Sequence, residues 1–219
     1  MKIALFTKPD KPTVNEVKEY LKKNFDTVAI YEGERGESIP LEALNGSQDI
    51  LISYLSPWLI PEQILNKTAL WSINFHPGPP EYPGIGCFNF AIYNQEKYYG
   101  ITAHLMEKNV DSGKIIAVKR FSMLRNDSVY TLSIKSYECM YTLFYEIMDS
   151  ILTKNIIPFS NETWKRKPYT RSELEELCRI EAAMPQEEIK KRVKATAYPG
   201  MPGAYIELYG HKFEYNANR

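Results

Sequence analysis

The chain has 219 residues, of which 44% are hydrophobic and 25% charged, a composition that excludes disordered, collagenous and coiled-coil classes and fits one full domain with a small appendage. Lys and Arg number 27 against 27 Asp and Glu, so no overall basic field exists to hold a nucleic acid. No stretch approaches the roughly 18 uninterrupted apolar residues of a membrane-spanning helix. The apolar N-terminal run is too short for an export signal before Lys8 interrupts it, and the expectation is a cytoplasmic protein. Cys87, Cys139 and Cys178 are odd in number and widely separated, which favours reduced thiols over disulfides or a zinc site.

Residues 3–7 form a short apolar run that ends at Lys8-Pro9-Asp10-Lys11-Pro12, the pattern of a buried strand entering a loop. Thr13 or Asn15 can cap a helix in which Val14, Val17, Tyr20 and Leu21 share one face. Residues 25–31, 49–55 and 71–75 read as further strands, with a helix over 61–66 between the last two. This alternation predicts an α/β fold with parallel strands, right-handed crossovers and a ligand crevice beyond the strands' carboxyl ends. Residues 100–122 predict two more strands around the turn Val110-Asp111-Ser112-Gly113. Asn126-Asp127-Ser128 then caps a long helix through Ile151. Beyond Lys154 the composition turns polar, and a small C-terminal subdomain (154–219) is expected after a main domain (1–153). It holds a helix over 172–180 and a closing β-hairpin over 204–215 around Gly210-His211.

Chemistry concentrates where a strand ends. Asn74-Phe75-His76 runs into the rigid loop Pro77-Gly78-Pro79-Pro80-Glu81-Tyr82-Pro83-Gly84-Ile85-Gly86. Strand alternation points Asn74 and His76 the same way. An amide N–H stabilises an oxyanion while an imidazole moves a proton, a pairing suited to acyl transfer. On spacing alone, a strand-end Asn tying down a loop and a structural His fit equally well. Asp111 likewise reads as a turn carboxylate accepting backbone N–H groups.

Asn74-x-His76 followed by Pro77-Gly78, then His104 to Asp111 with Gly113, resembles the formyltransferases that use 10-formyltetrahydrofolate. Asp111 follows His76 by 35 residues, as in the family's catalytic trio. The likeness covers most of the first 125 residues and implies a Rossmann-like, mostly parallel sheet with flanking helices. It implies Asn74 as oxyanion donor, His76 as acid/base and Asp111 as the group that orients the imidazole. Leu59-Ile60-Pro61, 13 positions before Asn74, resembles the segment lining the pterin pocket, and Trp58, Leu59 and Ile60 with Asn109 and Val110 are the candidates for that slot. His104 is ambiguous between a structural and a substrate-side role.

Among the family's acceptors, the even charge balance and short tail disfavour tRNA. The glycine-free loop after the first strand disfavours a ribonucleotide phosphate site of the glycinamide-ribonucleotide type. The expected acceptor is the primary amine of a nucleotide-linked amino-deoxy sugar. Lys167, Tyr169 and Arg171 are candidate substrate contacts, by stacking on a base and meeting a diphosphate, although a solvated basic linker reads as well. A glycinamide-ribonucleotide enzyme, a formyltetrahydrofolate hydrolase or a noncatalytic folate- or sugar-binding module are the alternatives. A homodimer through the exposed edge of the C-terminal hairpin is expected, with neither metal nor membrane involved.

Overall fold

Near-continuous apolar runs assemble one six-stranded sheet. In the computed structural model, which describes residues 1–216, its strands are β1 (Lys2–Thr7), β2 (Thr27–Glu32), β3 (Gln48–Tyr54), β4 (Thr68–His76), β5 (Tyr98–Leu105) and β6 (Ile115–Ser122). Their spatial order is β2-β1-β3-β4-β5-β6. β1 to β4 are parallel, joined through α1 (Val14–Asn24), α2 (Leu41–Asn45) and α3 (Glu62–Leu65), whereas β5 and β6 are antiparallel additions. The α/β class expected from the strand–helix alternation is observed.

Alternate residues of β1 and β3 enter different cores, and β4 joins the first of them. Ile3, Leu5, Ile50, Ile52, Ile73 and Phe75 pack with α1 and with α5 (Val129–Lys154) on one face. Ala4, Phe6 and Leu51 pack with Ala43 of α2 and Ile64 of α3 on the other. A strand buried on both sides must be apolar at successive positions, which is why β1 and β3 read as runs rather than as alternation. At the centre, Phe144 of α5 lies 5.5 Å from Phe75 and 5.9 Å from Tyr54 between ring centroids. Ser128 caps α5 by accepting the Thr131 N–H at 3.1 Å, and the Thr131 hydroxyl accepts the Ser128 N–H at 2.9 Å, a reciprocal box that satisfies two otherwise orphaned donors.

Thr13 precedes α1 as anticipated but does not cap it with its side chain. It adopts a left-handed conformation and its hydroxyl bonds the Tyr54 hydroxyl at 2.7 Å. Three helices were not apparent from periodicity: the short α2, α4 (Cys87–Tyr93), which follows the proline-rich loop, and α7 (Gln186–Thr196). The expected helix over 172–180 is α6 (Arg171–Cys178), and its last two residues instead form β7 (Arg179–Ile180). β7 pairs with β8 (Tyr205–Leu208), which pairs with β9 (His211–Glu214) in a second, three-stranded sheet. Leu177 and Ala195 share a core with Tyr82, Cys87, Phe90 and Tyr99. The chain after residue 154 thus packs directly against the loop that follows β4.

Candidate active site

β4 delivers Asn74 and His76 to its carboxyl end, and antiparallel β5 places His104 opposite Asn74 and Thr102 opposite His76. Asp111 arrives from the turn between β5 and β6 in a left-handed backbone conformation (φ 43°), a state that non-glycine residues reach at a cost and that clusters at functional sites. His76, His104 and Asp111 are all buried. The three residues anticipated as a catalytic trio are brought together, and His104 joins them.

The hydrogen bonds assign the protons. His76 Nε2 lies 2.9 Å from the Tyr82 carbonyl oxygen, and a carbonyl only accepts, so Nε2–H donates there. Nδ1 lies 3.3 Å from Asp111 Oδ2, so a proton gained at Nδ1 meets that carboxylate. His104 Nδ1–H donates to the Leu105 carbonyl at 2.7 Å. Its Nε2 faces Asn74 Nδ2 at 3.0 Å and Asp111 Oδ1 at 3.2 Å. A neutral ring accepts from Asn74, and a cationic ring donates to Asp111. The other amide hydrogen of Asn74 has only a long contact, 3.5 Å, to Asp111 Oδ1, which leaves it the donor most readily turned to a developing oxyanion.

Asp111 also accepts the Gly84 N–H at 2.7 Å. Burial works to raise its pKa, but the facing His76 charge, the His104 hydrogen bond and charge, and the Gly84 amide together hold it well below the usual carboxylate range. A carboxylate fixed as an anion stabilises an imidazolium at His76 without competing for its proton.

The proline-rich loop is held by specific bonds. The Tyr99 hydroxyl donates to the Pro77 carbonyl at 3.1 Å and the Thr102 hydroxyl to the Gly78 carbonyl at 2.8 Å. Gly84 has φ 85°, and a Cβ there would lie 2.4 Å from the Tyr169 carbonyl oxygen. This absence of a side chain lets residues 168–169 run beside the loop, with Tyr169 N–H donating to the Pro83 carbonyl at 2.8 Å and Ile85 N–H to the Tyr169 carbonyl at 3.0 Å.

Two confluent hollows open beside the trio. A narrow crevice of about 110 Å³ is lined by Trp58, Leu59, Ile60, Met106, Asn109 and Val110 together with Asn74, His104 and Asp111. A wider one of about 560 Å³ includes His76, Lys8, Lys11, Ile85, Tyr137 and Tyr169. All five residues expected at a pterin pocket therefore line the crevice. Of the expected substrate contacts, Tyr169 reaches the wider hollow, whereas Lys167 and Arg171 are exposed and outside it. Both faces of the Tyr169 ring are covered, one by Phe90 at 3.7 Å and one by the Arg166 guanidinium at 3.1 Å, so only its edge and hydroxyl are offered to a ligand.

Three contributors were not legible in the sequence. The Tyr82 carbonyl sets the His76 tautomer, and the Gly84 amide charges the site, yet backbone groups leave no signature in residue type. Trp164 lies edge-on to both imidazoles, at 6.0 Å from His76 and 5.0 Å from His104 between centroids, and its indole N–H donates to the Gly113 carbonyl at 2.9 Å. Its only signal was its place at the head of the basic segment. Cys87 is buried beside the loop, and burial pushes its thiol up to about 12, consistent with the inert role read for it. Among the described residues no cluster of His, Cys, Asp or Glu is arranged to hold a metal, and no helix is long and apolar enough to cross a membrane.

The model of the formyl transferase family matches residues 8–147. The methionyl-tRNA formyltransferase of Dictyoglomus thermophilum is 32% identical over 168 residues, covering 71% of this chain and 53% of that protein. The chain spans about half the length of the curated relatives it matches. A sugar N-formyltransferase from a Shewanella species superposes with a TM-score of 0.78 at 18% identity, covering 99% of this chain and 97% of the other. An N-formyltransferase from Helicobacter canadensis, in complex with folinic acid and dTDP-3-aminofucose, gives 0.69 at 21% identity, covering 89% and 80%. At these identities the structures share the fold.

Proposed function

The chain belongs to the formyl transferase family, and from that premise we propose that it transfers the formyl group of 10-formyltetrahydrofolate to the primary amine of a nucleotide-linked amino-deoxy sugar. The observation that carries this reading is that Asn74 and Asp111 lie on the wall shared by the crevice and the wider hollow, with His76 beside them in the wider hollow. The crevice suits a flat, donor- and acceptor-rich ring: Trp58, Leu59, Ile60, Met106 and Val110 supply apolar walls, and no cation lines it except Lys108 at the rim. The wider hollow has room for an acceptor, and Lys8 and Lys11 lie in its lining. Near-full-length superposition on a sugar N-formyltransferase supports the acceptor class, as does the nucleotide sugar held by the Helicobacter canadensis protein.

The folate cosubstrate supplies the activated formyl carbon. The reaction forms a bond from the acceptor nitrogen to that carbon and breaks the bond from the carbon to N10. The acceptor amine loses a proton and N10 gains one. His76 Nδ1, with Nε2–H anchored on Tyr82, takes the first proton and returns it for the second. Asp111 stabilises the imidazolium between the two events. Asn74 directs its free amide hydrogen at the oxygen on which charge develops. Trp164 and the 77–86 loop limit water at the two imidazoles, which strengthens each of these interactions.

A turnover screen tests the reading. 10-Formyltetrahydrofolate is offered with amino-sugar nucleotides, glycinamide ribonucleotide and methionyl-tRNA, following tetrahydrofolate release and acceptor mass. One added formyl group on a sugar nucleotide supports it; formylation of either other acceptor replaces the substrate assignment. Formate release without any acceptor would make it a hydrolase, and folate binding without turnover a binding module.

The outer edge of β9, with Phe213 56% and Tyr215 49% exposed, further suggests a homodimer through the C-terminal hairpin. Light scattering at the mass of one chain would remove that part of the proposal.

A further inference from the structure

Away from the catalytic residues, a cavity of about 560 Å³ lies between the end of α4, the start of β5, the segment after β6 and α7. Lys97, Arg125, Lys191 and Lys194 line it, together with the single carboxylate of Glu96. In a chain whose formal charges cancel, four cations around one hollow is a local concentration, and a concave site focuses such a field.

These charges are only weakly offset from within: Lys191 feels the Glu188 carboxylate at a distance. Lys194 donates to the backbone carbonyl of Arg125 at 2.9 Å, and Lys191 sits 4.6 Å above the Tyr93 ring. Among the described residues none of the four has a carboxylate within ion-pair distance. Glu96 is turned towards Tyr82, whose hydroxyl donates to it at 2.6 Å. The rest of the lining is the amide of Gln95 and the apolar Ile92, Met123 and Leu124, of which Leu124 is 58% exposed. Cations without a direct ion-pair partner beside a largely apolar wall match a molecule with a polyanionic end and a less polar body. The volume lies within the roughly 300 to 1,000 Å³ of small-molecule sites. A discrete hollow also differs from the extended basic stripe that follows a nucleic-acid backbone.

We propose that this cavity is a second, noncatalytic binding site for a small phosphorylated molecule of the nucleoside diphosphate class. Lys97 and the forked guanidinium of Arg125 meet the phosphates, Lys191 and Lys194 add to the field, and Ile92, Met123 and Leu124 face the rest of the ligand. The cavity shares no lining residue with the catalytic hollows, so the inference stands apart from the acceptor assignment.

Carbon-13 NMR of methionine methyl groups tests it without an activity readout. Met123 lies in this cavity and Met106 in the catalytic crevice, and their signals are assigned by Met123→Leu and Met106→Leu. UDP and inorganic pyrophosphate are the probes. UDP should shift the Met123 signal, added salt should weaken the effect, and pyrophosphate should compete. Lys97→Ala with Arg125→Ala should weaken UDP binding here by roughly tenfold or more, as expected for loss of charge-assisted bonds. Lys97→Gln with Arg125→Gln repeats the loss with less change of volume. Lys8→Ala with Lys11→Ala, which alters only the catalytic hollow, should leave the Met123 shift intact. A Met123 signal unmoved by millimolar UDP, or moved equally in the Lys97 and Arg125 double variants, would overturn the proposal. A short RNA duplex that shifts Met123 at lower concentration than UDP would overturn it in favour of a nucleic-acid contact.

Discussion

Asn74 and His104 face each other directly across antiparallel β4 and β5, with the amide nitrogen of one 3.0 Å from Nε2 of the other. The amide proposed as oxyanion donor is thus held by a cross-strand imidazole, and we propose His104 as its positioning residue, with its own Nδ1–H anchored on the Leu105 carbonyl.

Asn74→Ala should lower kcat by roughly 10² to 10³, about 3 to 4 kcal/mol, the usual effect of removing one oxyanion donor, with little change in folate KM. His104→Ala should lower kcat less. Because the two act on one amide, the double variant should fall short of the sum of the single effects. Strictly additive losses would show that His104 does not act through Asn74.

Acid should destabilise the fold through Asp111. Its pKa is held below the unfolded value, so the folded carboxylate resists protonation while the unfolded chain takes up a proton first. Its contribution is present above the unfolded pKa of about 4 and is lost as pH falls from there towards the folded value. Asp111→Asn should flatten that acid limb in melting temperature against pH; an unchanged limb would contradict it.

Gly78→Ala should damage catalysis more than folding. An added Cβ would lie 2.6 Å from His76 Nε2 and 3.0 Å from the Tyr82 carbonyl oxygen, separating the pair that sets the tautomer. Stopped-flow kcat should fall sharply while the far-ultraviolet circular dichroism spectrum stays native. An unaffected kcat would show that the Tyr82 bond is dispensable.

Cys87 should resist alkylation in the native protein near pH 8, because burial keeps it a thiol. Peptide mass mapping after iodoacetamide should find it unmodified, with label on Cys139 and Cys178, which are only partly buried. Rapid labelling of Cys87 would mean that the 77–86 loop opens.

The sequence carried the central sheet well, because strands covered on both faces must be apolar at consecutive positions, as β1 and β3 are, while β4 alternates with Ile73 and Phe75 in one core. The cap of α5 was legible at Ser128. α7 was not, since Ala195 and Thr196 are its only buried residues and no apolar stripe marks it. α4 follows a loop of prolines and glycines and has only seven residues, too few for a period to show.

Residue types and their spacing determined the family and the α/β class, and they singled out Asn74, His76 and Asp111 and the segments that line the crevice as candidates, because a reaction needs particular side chains at particular strand ends. Tertiary structure decided the rest. Only the packed chain shows that Tyr169 is enclosed between Phe90 and Arg166, that Lys8 and Lys11 line the wider hollow in place of Lys167 and Arg171, and that Trp164 reaches back to both imidazoles. These relations join residues as many as 88 positions apart in the sequence. They depend on where the C-terminal segment docks, which is set by shape and backbone hydrogen bonds that no local pattern encodes.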